Sequence, residues 1–287
     1  MIKYIEGDLF SSPAQVIVNT VNTVGVMGKG LALSFKQRYP EMFDFYRNIC
    51  EKKELDIGNL ILWRAVDHWL LQFPTKKHWR NDSKLEYIEA GLKKFVDIYD
   101  KEGIISIAFP CLGCGNGGLN WKDVKPLMEK YLSPLPIDVY VYVGNYEDEK
   151  KVFTKAKEFN SWLLENARSM FFNDLIEDIK NVSGIVPYEF RFHKDRVFAS
   201  YVEDNLEVKE NDVTVYSFNE EELFLLWADV RRQKIIECSN EEAKINVFLA
   251  LLNALNYLTK VRVLQNNGEK HEGYQLNEAL SRVYWGR

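Results

Sequence analysis

Two glycine-rich stretches hold the residues best placed for ligand chemistry. "VNTVGVMGKGLA" (residues 21–32) contains Gly25, Gly28 and Gly30, and "CLGCGNGGLNW" (residues 111–121) contains Gly113, Gly115, Gly117 and Gly118. Glycines let backbone approach a ligand closely and turn several N–H groups toward it, which suits the oxygens of a diphosphate. A helix starting after each stretch would add the positive end of its dipole. Neither stretch is a dinucleotide-binding G-x-G-x-x-G, and without Gly-Lys-Ser/Thr neither is a Walker A loop, so Lys29 is not a P-loop lysine. Plain turn-making is the rival reading of these glycines. Asn19 and Asn22, at the end of the strand before the first stretch, suit either turn support or hydrogen bonds to sugar hydroxyls. Asp8, straight after Gly7, is either a turn carboxylate or an acceptor for an adenine amino group.

A lysine in "FPTKKHWR", Lys76, follows an apolar strand and Pro74, which puts it at the ligand end of a sheet rather than on a helix face. In an apolar pocket or beside other cations such a lysine turns nucleophilic; while charged it stabilises an anionic leaving group. The rival is a solvated surface charge. His78, Trp79 and Arg80 follow it, a combination that stacks on a base and pairs with a phosphate. For Trp79 core packing is the alternative, and Trp121 reads as core. Cys111 and Cys114 have CxxC spacing, but no second pair or histidine cluster completes a zinc site, so no metal is expected. His68, His193 and His271 share no ligand spacing. Glu220, Glu221 and Glu222 favour a helix N-terminus through its dipole, or else a surface for a basic partner.

The elements that must position these residues alternate in type. "QVIVNTVN" is a β-branched run that enters the first glycine stretch, and residues 31–50 carry apolar residues at helical spacing. "NLILWRA" and "HWLLQFP" read as strands, the second ending at Pro74. A helix capped by Asp82 or Ser83 then runs to Gly103, followed by the strand "IISIAFP", the second glycine stretch, the helix "KDVKPLMEKYL" and the strand "IDVYVYVG". This order describes an α/β domain with a largely parallel sheet, both glycine loops lying at the C-terminal ends of strands, where open α/β sheets bind ligands.

Past residue 150 the pattern changes. The stretch 147–181 looks helical, and residues 186–218 alternate like strands. Asn219 caps a helix through Arg232, Ser239 opens another to about Lys260, and Asn267-Gly268 is the turn of a hairpin. Helix, helix, hairpin fits a winged-helix-like module, with no motif that settles it. The expected division is 1–155 and 156–287, an α/β domain followed by a smaller α+β one.

The chain has 287 residues, 46% apolar and 28% charged, so it can bury a sizeable core, and two domains are expected. A net charge of −5 gives no overall basic field for nucleic acid, though a local groove can still be basic. No apolar run reaches the roughly 18 residues of a membrane span, the N-terminus lacks a signal-peptide pattern, and four scattered cysteines make no disulfide framework. A cytoplasmic location is expected.

"EGDLFSSPAQVIVNTVNTVGVMGKGLALSFKQRYP", then "FPTKKHW" and "PCLGCGNGGLNW", together resemble a macrodomain over roughly residues 1–150. Within that superfamily they resemble the branch of DarG-like DNA ADP-ribosyl glycohydrolases, which act as antitoxins, related to the terminal ADP-ribose glycohydrolase of vertebrates. The resemblance implies a three-layer α/β/α fold with a mixed, largely parallel sheet. It implies that Asp8 and the Leu9 backbone hold adenine, and that Asn22 meets the distal ribose. Gly25, Val26, Met27, Gly28 and Gly30 would then wrap the diphosphate and that ribose. Leu112, Gly113, Cys114, Gly115, Asn116, Gly117, Gly118 and Leu119 would close on the diphosphate from the other side. Lys76 matches the catalytic lysine, with Lys77 as the alternative if the tandem pair slips by one. The vertebrate relative carries an aspartate at the position of Gly117; the bacterial branch has glycine there.

The implied activity is removal of ADP-ribose from thymidine in DNA, reversing a DNA ADP-ribosyltransferase. ADP-ribosylated single-stranded DNA and the cognate transferase toxin are the expected partners, with no cofactor. Two rivals stay open: hydrolysis of protein-linked or free ADP-ribose derivatives, and a reader that binds ADP-ribose or a related nucleotide without turnover.

Overall fold

The structure, a computed structural model, describes residues 1–144, 155–238 and 243–285. The chain forms two compact units, Met1–Glu165 and Asn166–Arg287. The first runs β1 (Ile2–Glu6), a 3-10 turn (Leu9–Ser11), β2 (Val16–Asn22), α1 (Gly30–Arg38), α2 (Pro40–Glu51), β3 (Ile61–Arg64), β4 (Trp69–Lys76), α3 (Leu85–Ile98), β5 (Ser106–Pro110), α4 (Trp121–Leu132), β6 (Asp138–Gly144) and α5 (Ala156–Asn166).

Its strands lie in the order β1-β6-β5-β2-β4-β3. The pairs from β1 to β4 are parallel and β3 runs antiparallel to β4, so the sheet is mixed. β2 and β5 are buried along nearly their whole length, the pattern of strands covered on both faces. This is the mixed, largely parallel α/β architecture expected.

Three local expectations need correction. The helical run 31–50 is two helices, broken at Tyr39, because Pro40 has no N–H and its ring clashes with the carbonyl four residues back; it serves instead as the first residue of α2. β4 does not stop at Pro74 but continues to Lys76. β3 covers it only from Trp69 to Gln72, so the missing proline N–H falls where β4 is an edge. Neither Asp82 nor Ser83 caps α3: the cap position is Lys84, with no side-chain cap, and Ser83 is used elsewhere.

The second unit contains α6 (Phe172–Ser183), β7 (Tyr188–Phe192), β8 (Asp195–Val202), β9 (Asn205–Glu210), β10 (Val213–Asn219), α7 (Glu220–Gln233), β11 (Ile235–Glu237), α8 (Ala243–Ala254), β12 (Leu258–Leu264), β13 (Lys270–Leu276) and α9 (Glu278–Trp285). β7 to β10 form an antiparallel meander; Glu203-Asp204 and Asn211-Asp212 take positive φ at both turn residues, as tight hairpins demand. Asn219 and Glu222 form a reciprocal capping box at the start of α7, which accounts for that part of the glutamate run. α8 stops at Ala254 rather than near Lys260, because Asn256 turns left-handed and β12 begins two residues later. Its expected opening, residues 239–242, lies outside the described residues, as do 147–154 of the expected helical stretch. The hairpin β12–β13 turns at Asn267-Gly268, with Gly268 at φ +86°, and β11 pairs with β13. Among the described residues no helix is long and apolar enough to cross a membrane.

Where β2 and β4 begin, a buried polar cluster ties three loops of the first unit. Tyr39 Oη donates to Asp67 Oδ2 at 2.6 Å, and His68 places Nδ1 3.0 Å from that carboxylate and Nε2 3.1 Å from the Ser12 carbonyl. Burial alone would raise the Asp67 pKa, but the bonds from His68 and Tyr39 outweigh it and hold the carboxyl below its ordinary value. A carboxylate depressed in the folded state stabilises the fold above the unfolded pKa of about 3.9, and that contribution is lost as pH falls toward the folded value. Asp67→Asn is therefore expected to cost about 3 kcal/mol near pH 7, in the range for breaking a buried pair. The gap from wild type in urea unfolding should narrow below about pH 4.

Candidate active site

β5, β2 and β4 are neighbouring parallel strands, so the three segments that leave their C-terminal ends emerge side by side. The first glycine loop follows β2, the second follows β5, and Lys76 with its rim ends β4. β1 is parallel to β6, and Asp8 lies just past its end.

Asn22 organises the first loop. Its Oδ1 accepts from the N–H groups of Val24 and Val26, at 3.1 and 3.3 Å, and its Nδ2 donates to the Val26 carbonyl. Tyr46, buried in α2, donates to the Asn22 carbonyl at 2.7 Å. The turn-support reading of Asn22 thus holds, and one amide N–H is left for a ligand. Gly25 and Gly30 take φ of +80° and +56°, which a side chain would strain. Met27 is buried and anchors the loop, while Val24 and Val26 are exposed. Asn19 is fully buried, donating to Gln72 Oε1 at 2.8 Å, and its Oδ1 has no partner. It lies beneath Met27, whose sulfur is 3.7 Å from its Nδ2, so its amide supports the floor of the loop.

The second loop is folded by its own backbone. Leu119 N–H donates to Gly113 O at 3.0 Å and Gly118 N–H to Gly115 O at 3.3 Å; Gly113 and Gly118 take φ of +71° and +77°. Leu112 is buried beneath it. A Cβ on Gly117 would collide with the Gly113 carbonyl and lie 2.5 Å from Ser83 Oγ. No aspartate fits there without rebuilding the loop. Ser83 donates its N–H to Gly117 O at 2.8 Å, while its buried hydroxyl finds no partner. Asp82 brings a carboxylate alongside, Oδ1 lying 3.4 Å from where a side chain on Gly118 would start.

The two loops meet at Asn116: a Cβ on Gly30 would lie 2.8 Å from its Nδ2. The Lys76 ammonium donates to the Asn116 carbonyl. Lys77 is exposed and its carbonyl accepts from Thr23 Oγ1 at 2.8 Å, and of the tandem pair Lys76 is the lysine that reaches the second loop. Around this contact the N–H groups of Gly28, Lys29 and Gly30, and of Gly115, Asn116 and Gly117, meet no acceptor among the described residues. The α1 N-terminus has no side-chain cap and leaves its first-turn donors to a ligand, whereas the Asn120 side chain takes the Lys122 N–H at the start of α4. Together these are two rows of backbone donors beside one ammonium, a set suited to phosphate oxygens.

Asp8 caps the 3-10 turn, accepting from Phe10 N–H at 3.2 Å and Ser11 Oγ at 3.4 Å, and keeps a side-chain exposure of 42% beside Arg38. Leu9 is buried. His78, Trp79 and Arg80 stand past Lys76 with Trp79 45% exposed, which removes its core reading. Burial pushes the Cys111 thiol up to about 12 and raises Cys114, so the CxxC pair consists of packed, poorly ionising thiols. No group of three or more metal-binding side chains is assembled among the described residues. Sequence reasoning missed Tyr46, Ser83 and Asp82. Tyr46 reads as one more apolar helix residue, and the other two read as a cap.

Residues 18–128 match the Macro domain family. A chain holding the macrodomain of Mycobacterium tuberculosis DarG is 46% identical, the likeness covering 50% of this chain and 97% of that one with a TM-score of 0.48. The chain belongs to the macrodomain family through this N-terminal half. It is 46% identical over 147 residues to the DNA ADP-ribosyl glycohydrolase of Mycobacterium tuberculosis, and 43% identical over 161 residues to a DNA ADP-ribosyl transferase–DNA ADP-ribosyl glycohydrolase fusion protein of Thermosipho africanus. Each match covers 50% of this chain and 42% of the relative.

Gly117→Ala is expected to cost about 1–3 kcal/mol by overpacking, read as a melting temperature several degrees lower by calorimetry. Gly115→Ala, whose Cβ would meet nothing within 4 Å, should leave it unchanged within about 1 °C.

Proposed function

We propose that the chain hydrolyses ADP-ribose from thymidine in DNA and so acts as the antitoxin to a DNA ADP-ribosyltransferase. The observation that carries this is Lys76 held at Asn116 beside two glycine loops whose amides at residues 28–30 and 115–117 meet no acceptor among the described residues. Identity of 43–46% to DNA ADP-ribosyl glycohydrolases supports the substrate class, and a relative that joins transferase and glycohydrolase in one chain supports the pairing. In this reading the first unit does the chemistry in the cytoplasm, and the second, beyond residue 165, contacts the transferase.

The loop amides bind the diphosphate, with the α1 N-terminus adding its dipole. Asn22 offers its remaining N–H to the distal ribose, and Asp8 with the Leu9 backbone receives the adenine. Water attacks the anomeric carbon of that ribose, the bond to the thymine nitrogen breaks, and its electron pair leaves with the base. Lys76 stabilises that developing anion, and the proton released by water ends on the base nitrogen. With Gly117 closed to any side chain, we assign first receipt of that proton to the Asp82 carboxylate beside the loop.

The closed position 117 also favours a second reading, a macrodomain that binds ADP-ribose without turnover. One experiment separates the two: release of unmodified DNA from a thymidine-ADP-ribosylated oligonucleotide by wild type, Lys76→Ala and Asp82→Asn. Each variant is expected to lose about a hundredfold in turnover while binding ADP-ribose within a few-fold of wild type by calorimetry. Binding without release by wild type would establish the reader.

A further inference from the structure

Residues 76–83 form an arch with both feet on the second glycine loop. At one end the Lys76 ammonium donates to Asn116 O; at the other, Ser83 N–H donates to Gly117 O at 2.8 Å. The crest is a tight turn, with Asn81 N–H donating to His78 O at 3.0 Å and Arg80 N–H to His78 Nδ1 at 3.3 Å. It holds three side chains in a stack. His78 and Trp79 lie nearly parallel, centroids 5.5 Å apart with 27° between planes, and the Arg80 guanidinium sits 4.5 Å from the Trp79 ring centroid.

Trp79 is 45% exposed, so the arch holds an indole in water instead of burying it. An exposed aromatic with a guanidinium on its face is a surface for a nucleobase, every base having a π-face to offer. Lys77, Arg80 and Lys84 are exposed along the same segment against the single carboxylate of Asp82, a net positive strip on a chain of net charge −5. That local charge complements a phosphodiester backbone rather than a protein surface of no particular sign.

We infer that the His78–Trp79–Arg80 stack binds the nucleotide adjoining the modified one, the neighbouring base on Trp79 and its phosphate on Arg80. The enzyme then recognises its substrate as a strand and not as a single modified nucleoside. This rests on the DNA reading above.

The test is kcat/KM on three substrates: the thymidine–ADP-ribose nucleoside, the same adduct within a short single strand, and that strand with abasic sites on both sides of the adduct. Wild type should favour the strand over the nucleoside by roughly five- to a hundredfold, the range of one base stacked on an aromatic ring. The abasic strand should lose most of that preference. In Trp79→Ala the strand-to-nucleoside ratio should fall to about one, and Trp79→Phe should restore most of it. Equal loss on strand and nucleoside, or an undiminished ratio in the alanine variant, overturns the inference while leaving the hydrolase reading standing. If wild type hydrolyses none of the three, the hydrolase reading falls. The platform is then judged on fluorescence anisotropy of an unmodified labelled single strand: binding roughly five- to a hundredfold weaker in Trp79→Ala supports it, and equal binding overturns it.

Discussion

The site depends on how closely the two glycine loops approach at one residue. Asn116 lies so near Gly30 that a Cβ there would come within 2.8 Å of its amide nitrogen, and its carbonyl takes the Lys76 ammonium. Backbone therefore does much of the work where the loops approach, and among the described residues the amides of 28–30 and 115–117 have no acceptor there. Any side chain at Gly30 or Gly117 would pry the loops apart or fill the space behind them. The glycines are required by these contacts and by the left-handed φ of Gly25, Gly30, Gly113 and Gly118, more than by flexibility.

The rest of the first unit serves that approach. Three parallel strands release their loops at one end of the sheet. β4 carries Lys76 two residues past a proline because its outer edge is uncovered there. Beneath the loops the supports are mostly spent: Asn22 and Tyr46 hold the first, Leu112 and Ser83 underlie the second. The opposite end of the sheet is held by the buried Tyr39–Asp67–His68 cluster. Rigid strands below and backbone donors above are the arrangement that pre-organised binding requires.

Much of this was legible in the sequence because it follows from local pattern. β-branched runs entering glycine stretches marked the strand–loop–helix units, and the tandem lysines after Pro74 marked the ligand end of β4. What stayed hidden depends on contacts distant in sequence. Asn19 and Asn22 look alike three residues apart, yet one faces the core and the other folds the loop. Ser83 resembles a helix cap but is drawn under residues 113–117. Pro40 is the signal that the helical run breaks, and the apolar spacing of residues 31–50 masked it.

The two loops are proposed to grip a diphosphate between them with their backbone. The most direct test is a crystal structure of the full chain with ADP-ribose. Diphosphate oxygens are expected within hydrogen-bond distance of amides in both residues 28–30 and residues 115–117, with the distal ribose beside Lys76. ADP-ribose bound elsewhere, or touching only one loop while the other row of amides faces solvent, would contradict the proposal.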